Sequence, residues 1–363
     1  ELELELEAAL RAGLSVERAS PPLPFPVKSA IRFLNQAQFH PRAYVVPLAH
    51  GIVGGGSHVF EATRVIAVDE GEPCRIHTDL DTTLTADRVI LATHAPLNRV
   101  LLQTKLAQYR SYVVAGPVRH SPYGLFWDMD DPYHYIRSHR IGDQFYLLVG
   151  GEDHKTGQDP ETDVKFHRLV EYARRFDVST ITHRWSAQVI EPVDGLPFIG
   201  RNAGSERVFV ATGFSGDGMV FGTLSAMILA DLCRGIPNRY AELYQATRVK
   251  PLASLASYIE ENVDFPLHLL SDTLRPPDVT SLDAIERGDG KIVRVRGERL
   301  AVYRDHEGAL HAVSPVCTHL GCHVAFNVSE RSWDCPCHGS RFDVDGTVIN
   351  APAVHNLRRR NVF

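Results

Sequence analysis

Two six-residue boxes near the C-terminal end, Cys317-Thr-His-Leu-Gly-Cys322 and Cys335-Pro-Cys-His-Gly-Ser340, restrict this chain more than any other feature. Each offers one thiolate and one imidazole, Cys317 with His319 and Cys335 with His338. Two cysteines on one iron and two histidines on the other form the donor set of one kind of [2Fe–2S] centre. Cys₂His₂ also suits tetrahedral zinc. Zinc fingers, however, usually pair like ligands along the chain, whereas each box here mixes them and carries a spare cysteine. Iron–sulfur is the favoured reading and zinc the alternative. The surrounding sequence suits a small all-β scaffold, with strand candidates at Lys291–Val295, Leu300–Arg304 and Leu310–Val313 and turn residues such as Asp305-His-Glu-Gly308.

The boxes, with Cys322 and Cys337 offset from the ligands, resemble those of respiratory-chain Rieske proteins. The resemblance implies that Cys317, His319, Cys335 and His338 hold the cluster and that Cys322 and Cys337 form a disulfide joining the two loops. In that family a serine after the second box and a tyrosine two positions later donate hydrogen bonds to the cluster. Ser340 matches the serine, while Phe342 stands where the tyrosine would be. Hydrogen bonds to the sulfurs raise a cluster's potential, so the missing hydroxyl implies a potential below the respiratory type.

With 363 residues the chain can bury two domain cores. A net charge of −6, with no basic run beyond Arg358-Arg359-Arg360, argues against nucleic acid as a partner. The longest apolar stretch, Met219 to Leu232, is interrupted by Gly222, Thr223, Ser225 and Asp231 and predicts no membrane span. The acidic, leucine-rich start has no basic region or cleavage site of a signal peptide, and a cytoplasmic location is the expectation. Cys74 and Cys233 read as unpaired structural cysteines.

Helix is expected over Glu1–Ala12, stopped by Gly13, and again over Arg42–Ile52. Strands are expected at Val59–Asp69, Cys74–Thr78 and along Leu84–Thr93. Alternating aromatic segments at Ser111–Val118, Tyr133–Ser138 and Gln144–Val149 predict antiparallel sheet. Thr162–Phe176 reads as an amphipathic helix. The apolar strand Val208–Thr212 runs into Gly213-Phe-Ser-Gly-Asp-Gly218 and a helix to Arg234, and further helix is expected from Arg239 to about Val263.

A strand ending in a glycine-rich turn that opens a helix gathers backbone N–H groups at one point, where a phosphate or an anionic flavin ring is stabilised. With Asp194-Gly-Leu-Pro-Phe-Ile-Gly200, Glu61-Ala-Thr-Arg-Val65 and Leu91-Ala-Thr-His-Ala-Pro96, this segment resembles the D-amino-acid-oxidase superfamily of FAD-dependent oxidoreductases. Glycine oxidase, sarcosine oxidase and gamma-glutamylputrescine oxidoreductase belong there. Gly150-Gly-Glu-Asp-His-Lys-Thr-Gly157 and Trp333–Phe342 resemble the branch that carries a C-terminal Rieske domain. The resemblance implies FAD beside Val65, Ala92 and Thr93, and beside Gly213, Phe214, Gly216, Gly218 and Met219. One element of the family pattern is missing. No opening strand with a G-x-G-x-x-G turn is present, and Gly54-Gly-Gly56 precedes a strand rather than a helix. The expectation is an N-terminally truncated flavoprotein, whose FAD binding belongs to the full-length protein.

The expected architecture is therefore an α/β flavin domain over 1–263, with an antiparallel substrate sheet at about 96–185, a linker at 264–278, and an all-β Rieske domain over 279–363. The expected activity is oxidation of a C–N bond in a small amine or amino-acid derivative, with single electrons passed through the cluster to an external acceptor. One alternative is an electron-transfer module alone. Another is a Rieske oxygenase, since Asp131, His134 and His139 match a two-histidine, one-carboxylate iron motif; oxygenases, however, place the Rieske domain first. Glu152, Asp153, His154 and Lys155 either line a substrate pocket or close a charged turn. Several relatives hold a substrate carboxylate with an arginine where Val189 stands, which favours an amine, with Arg137 as a possible substitute. His40 and His94 read as structural.

Overall fold

Helix α1 (Leu2–Arg11) stops where Gly13 takes a φ of +77°, a left-handed turn that glycine adopts without steric cost. The computed structural model describes residues 2–97, 100–248 and 276–362. The helix expected beyond Val249 and most of the expected linker lie outside the described residues. Strands β1 (Val16–Ala19) and β2 (Ala30–Phe33) pair antiparallel. Helix α2 (Pro41–Ile52) starts with Pro41 in its first turn and His40 Nδ1 accepting from the Ala43 N–H, the position where proline costs no hydrogen bond.

The strand expected from Val59 begins only at β3 (Val65–Asp69). Positive φ at Gly54, Gly55, Gly56 and Ala62 bends the chain before it. With β4 (Cys74–Thr78) and β5 (Thr83–Ala86) it makes a three-stranded antiparallel sheet. The run expected from Leu84 to Thr93 is divided at Asp87-Arg88. Its first part pairs with β4, while its second, β6 (Val89–Leu91), enters a different sheet.

After the short helix α3 (Val100–Gln103) come β7 (Leu106–Val118), β8 (Leu125–Trp127), β9 (His134–Ile141) and β10 (Gln144–Lys155). Helix α4 (Lys165–Arg174) and β11 (His183–Pro192) follow. These strands form one sheet in the order β11-β7-β10-β9-β8, with β8, β9 and β10 antiparallel. Apolar residues spaced along α4 (Phe166, Leu169, Ala173) pack with Tyr112, Val114, Ile136, Leu147 and Val149; each such buried side chain contributes about 1.5–3 kcal/mol.

Strands β12 (Phe198–Arg201) and β13 (Val208–Thr212) are antiparallel, and β13 runs parallel to β6. Helix α5 (Gly218–Arg234) covers β13 through Ile228 and Leu229, and ends at Gly235 with φ +71°. Helix α6 is only Ala241–Tyr244. The chain leaves it at Gln245, and Arg248 folds back onto Asp194 in a buried bidentate pair.

The C-terminal part has two small sheets. One holds β14 (Gly290–Val295), β15 (Glu298–Arg304) and β16 (Leu310–Val313). The other holds β17 (Ala325–Asn327), β18 (Ser332–Asp334), β19 (Arg341–Asp343) and β20 (Val348–Asn350). Taken together, Glu1–Phe60, Ser111–Asp153 and Val164–Ser186 form one compact unit; Glu61–Arg110, His154–Asp163 and Ala187–Phe363 form a second.

Candidate cluster and flavin sites

The two cysteine–histidine boxes fold as the same turn. In the first, the Cys317 N–H donates to Cys322 O at 2.8 Å and the Gly321 N–H to Cys317 O at 3.0 Å. In the second, Cys335 donates to Ser340 O and Gly339 to Cys335 O at the same distances. The fifth residue of each box is glycine at positive φ, +84° and +67°. Other residues pay for that backbone region with steric strain, so the shared glycine sets both loops. Cys322 and Cys337 are disulfide-bonded. The His319 and His338 rings lie 5.0 Å apart and nearly perpendicular. Cys317, Cys335, Phe342 and Trp333 are buried in one core.

The donor chemistry fits a cluster. Cys335 donates to the Cys317 sulfur, which outweighs burial and holds Cys317 below the ordinary thiol range, while the same bond and burial push Cys335 well above it. Backbone N–H groups of His319 and Leu320 and the Ser340 hydroxyl also donate to Cys317. Ser340 is free to donate because its Oγ accepts from the Ala353 N–H at 3.0 Å. Burial lowers both histidines to about 4, with the charge of His319 adding to the effect on His338. Both rings are thus neutral near pH 7, the form that binds metal. Behind the second box, Asp334 accepts from Arg341 Nε (2.9 Å), Ser332 (2.8 Å) and Asn327 (3.2 Å), a buried network that ties β17, β18 and β19 together.

On the flavin side, Ala92 and Thr93 follow the C-terminal end of β6, and Gly213 that of β13. Ligands of open α/β sheets bind at such strand ends. Thr212 Oγ1 donates to His94 O at 2.6 Å, which links the two ends. Gly213, at φ +74°, is pressed by Leu106 and Pro192, where a Cβ would lie 3.1 and 3.3 Å away. A Cβ on Gly216 or Gly218 would meet nothing within 4 Å, and the start of α5 has no side-chain cap. Open backbone at an uncapped helix start suits close approach of an anionic cofactor. Phe214 and Met219 are half-buried beside it, and Val65 opens β3.

The oxygenase-type triad is not assembled. His134 and His139 are five residues apart on β9, so they point to opposite faces. His134 Nδ1 bonds Asp128 Oδ2 (3.0 Å) and its ring stacks on Tyr172. His139 meets His40, and Asp131 is exposed. The Glu152–Lys155 run divides by role. Gly151 and Glu152 both take positive φ within β10. Buried Glu152 pairs with Arg168 (3.2 Å) and Lys165 (3.8 Å). Asp153 accepts from Tyr133 OH at 3.1 Å, and burial raises its pKa against the Ser111 and Tyr133 hydrogen bonds.

Sequence patterns gave no sign of the contacts between the C-terminal domain and the flavin-side segments. Gln188 Nε2 on β11 donates to Gly339 O at 2.9 Å and to Gln108 Oε1 at 2.8 Å. Gln158 Nε2 donates to Pro336 O at 3.1 Å. Arg110 pairs with Glu330, Ser329 donates to Thr162 O, and Ala351 packs on the core of Leu91, Leu106 and Val208. The partners are separated by 80 residues for Gln108 and Gln188 and by more than a hundred for the rest, and glutamines carry no motif.

Comparison with known proteins places the two parts of the chain in families. Residues 2–232 match the model for the FAD dependent oxidoreductase family, and residues 276–360 that for the Rieske [2Fe-2S] domain. A Bacillus subtilis protein named YhfW, described as a Rieske 2Fe-2S iron-sulfur protein, is 34% identical over 99% of this chain and 71% of its own. The cytochrome b6-f complex iron-sulfur subunit of Synechococcus elongatus is 52% identical over 15% of this chain and 31% of its own. The crystal structure of glycine oxidase from Geobacillus kaustophilus superposes with a TM-score of 0.60 at 19% identity, over 69% of this chain and 71% of that one. The flavin family implies FAD and the Rieske domain a [2Fe-2S] cluster, which removes the zinc alternative. No helix among the described residues is long and apolar enough to cross a membrane. The chain belongs to the FAD dependent oxidoreductase family and carries a Rieske [2Fe-2S] domain after its flavin domain.

Proposed function

We propose that this protein oxidises a C–N bond of a small amine or amino-acid derivative and delivers the electrons singly, through the Rieske domain, to an external one-electron acceptor. The observation that carries the reading is the packing of the second cluster box, through Pro336 and Gly339, on glutamines of the flavin-side segments. FAD when bound takes two electrons from the amine, and a [2Fe-2S] cluster passes on one at a time. In the overall balance an amine becomes an imine, losing two electrons and two protons, and two equivalents of acceptor each gain one electron. Cys317, His319, Cys335 and His338 hold the cluster. Gly213, Phe214, Gly216, Gly218 and Met219, with Val65, Ala92 and Thr93, surround the flavin.

Substrate contacts belong to one face of β9. Tyr135 and Arg137 share that face by alternation, and Asp153 joins it through Tyr133. Arg137 donates to Phe39 O through Nη2, and its buried Nε has no acceptor among the described residues. Arg137 is suited to a substrate carboxylate and Asp153 to a cationic nitrogen. The test is a panel of amines and N-substituted amino acids assayed with ferricyanide and with oxygen. The reading expects dye reduction to exceed oxygen uptake, and Arg137→Met to raise KM for carboxylated substrates more than for plain amines. Peroxide formation that keeps pace with turnover would count against the acceptor.

A further inference from the structure

We propose that Gln188 is a positioning residue that seats the second cluster box on the flavin domain, and that this box, with His338, is the side from which the cluster receives electrons. The inference rests on the flavin-to-cluster reading above and adds the direction and the residue that fixes it.

The two boxes are alike in fold and opposite in surroundings. In the second, Cys335, Pro336, His338, Gly339 and Ser340 are all buried. In the first, Thr318 is exposed, Leu320 is 37% exposed and His319 is partly open. The burial of the second box comes from flavin-side residues. A Cβ at Gly339 would come within 2.6 Å of Gln108 Cβ and of Gln188 Nε2, and one at Gly157 within 2.8 Å of Asp334 O and Pro336 N. The contact is close enough that only glycine fits on either side.

Gln188 also reaches the other way. Its carbonyl accepts from His94 Nε2 at 3.1 Å, and two residues on, Ile190 O accepts from the Ser215 N–H at 3.0 Å. His94 directly follows Ala92-Thr93, and Ser215 follows Gly213-Phe214, the two segments assigned to the flavin. A short stretch of β11 therefore bonds both flavin-side loops through its backbone and the residue after His338 through one side chain. The first box, with His319, is left as the outward side.

The experiment uses the FAD- and cluster-loaded protein under anaerobic conditions. Flavin is reduced by light, cluster reduction is followed by EPR, and hydrogen exchange of amides 335–340 is measured in parallel. Gln188→Leu removes both side-chain hydrogen bonds without touching a ligand. It should slow flavin-driven cluster reduction about tenfold or more, as expected when a donor–acceptor arrangement loses its fixed geometry, and speed exchange in the box. The dithionite-reduced EPR line shape and the midpoint potential should stay as in wild type. Gln158→Leu, which loses the bond to Pro336, should act in the same sense and carries the test if Gln188→Leu does not fold. Wild-type transfer rates and wild-type protection in the variants overturn the proposal. If photoreduced flavin fails to reduce the wild-type cluster, the functional reading falls and the entry role with it, while unchanged protection in Gln188→Leu would refute the seating alone.

Discussion

Removing the Ser340 hydroxyl should lower the cluster potential with little change in its ligation. Ser340 is fully buried; its oxygen accepts from the Ala353 N–H and its proton goes to the Cys317 sulfur. A hydrogen bond to a charged group contributes about 1.5–3 kcal/mol. For one electron, 59 mV corresponds to about 1.4 kcal/mol, so the whole bond would amount to roughly 65–130 mV. The oxidised cluster keeps part of the bond, because its sulfurs are also negative. Ser340→Ala should therefore shift the midpoint down by on the order of 50 mV, with ~130 mV as the ceiling. The Ala353 N–H loses its buried acceptor, costing about 1–3 kcal/mol of stability. The assay is an EPR-monitored redox titration of wild type and Ser340→Ala side by side. An unchanged or raised midpoint, with the cluster signal intact, refutes the assignment of Ser340 as a donor.

Phe342→Tyr should move the potential upward by some tens of millivolts, if a hydroxyl there reaches a cluster sulfur; Phe342 is fully buried in the core that holds Cys317 and Cys335. An unmoved midpoint with lowered stability would mark Phe342 as a packing residue only. Cys322→Ala deletes a cross-link between residues fifteen apart, worth ~3 kcal/mol in a chain-entropy estimate; the cluster should assemble but bleach faster, and thiol labelling mapped to Cys322 and Cys337 in native holo-protein, beyond the free Cys74 and Cys233, would contradict the disulfide. Asp334→Ala leaves buried Arg341 with only the longer carboxylate contact, to Glu330 (3.6 Å), and should cost up to about 3–5 kcal/mol by chemical denaturation. The His311 pKa is raised above its usual 6.5 by Asp345 first and then Asp305. The stabilisation this gives is complete below the unfolded value and fades as pH rises through the folded one. Wild type should accordingly lose stability relative to His311→Gln on going from pH 6 to pH 8, and parallel pH curves would refute the coupling.

The cluster loops were legible in the sequence because their chemistry is local: ligand, glycine and second cysteine fall within six residues, and each box closes on its own hydrogen bonds. The strand–turn–helix at Val208–Arg234 was legible for the same reason. Failures came where partners decide. Leu84–Thr93 reads as one strand segment, yet Asp87-Arg88 divides it because β5 pairs with β4 while β6 is held by β13. The Asp131–His134–His139 spacing looked like an iron motif until strand alternation turned the histidines apart. Glu152 and Asp153 read as one charged turn, but both lie in β10 and take different partners, Lys165 and Arg168 for Glu152 and Tyr133 for Asp153. Gln188 had no visible role, since its partner Gly339 lies 151 residues away.

Adding an oxidisable amine to the oxygen-free, FAD-loaded protein and freezing samples over time for EPR tests the central claim most directly. Flavin absorbance near 450 nm should fall (about the position set by the cofactor itself), and a reduced histidine-ligated cluster resonance with average g near ~1.9 should grow in the same sequence of samples. Bleaching of the flavin with no cluster resonance, while dithionite still elicits it, would contradict electron transfer from amine through flavin to the Rieske domain.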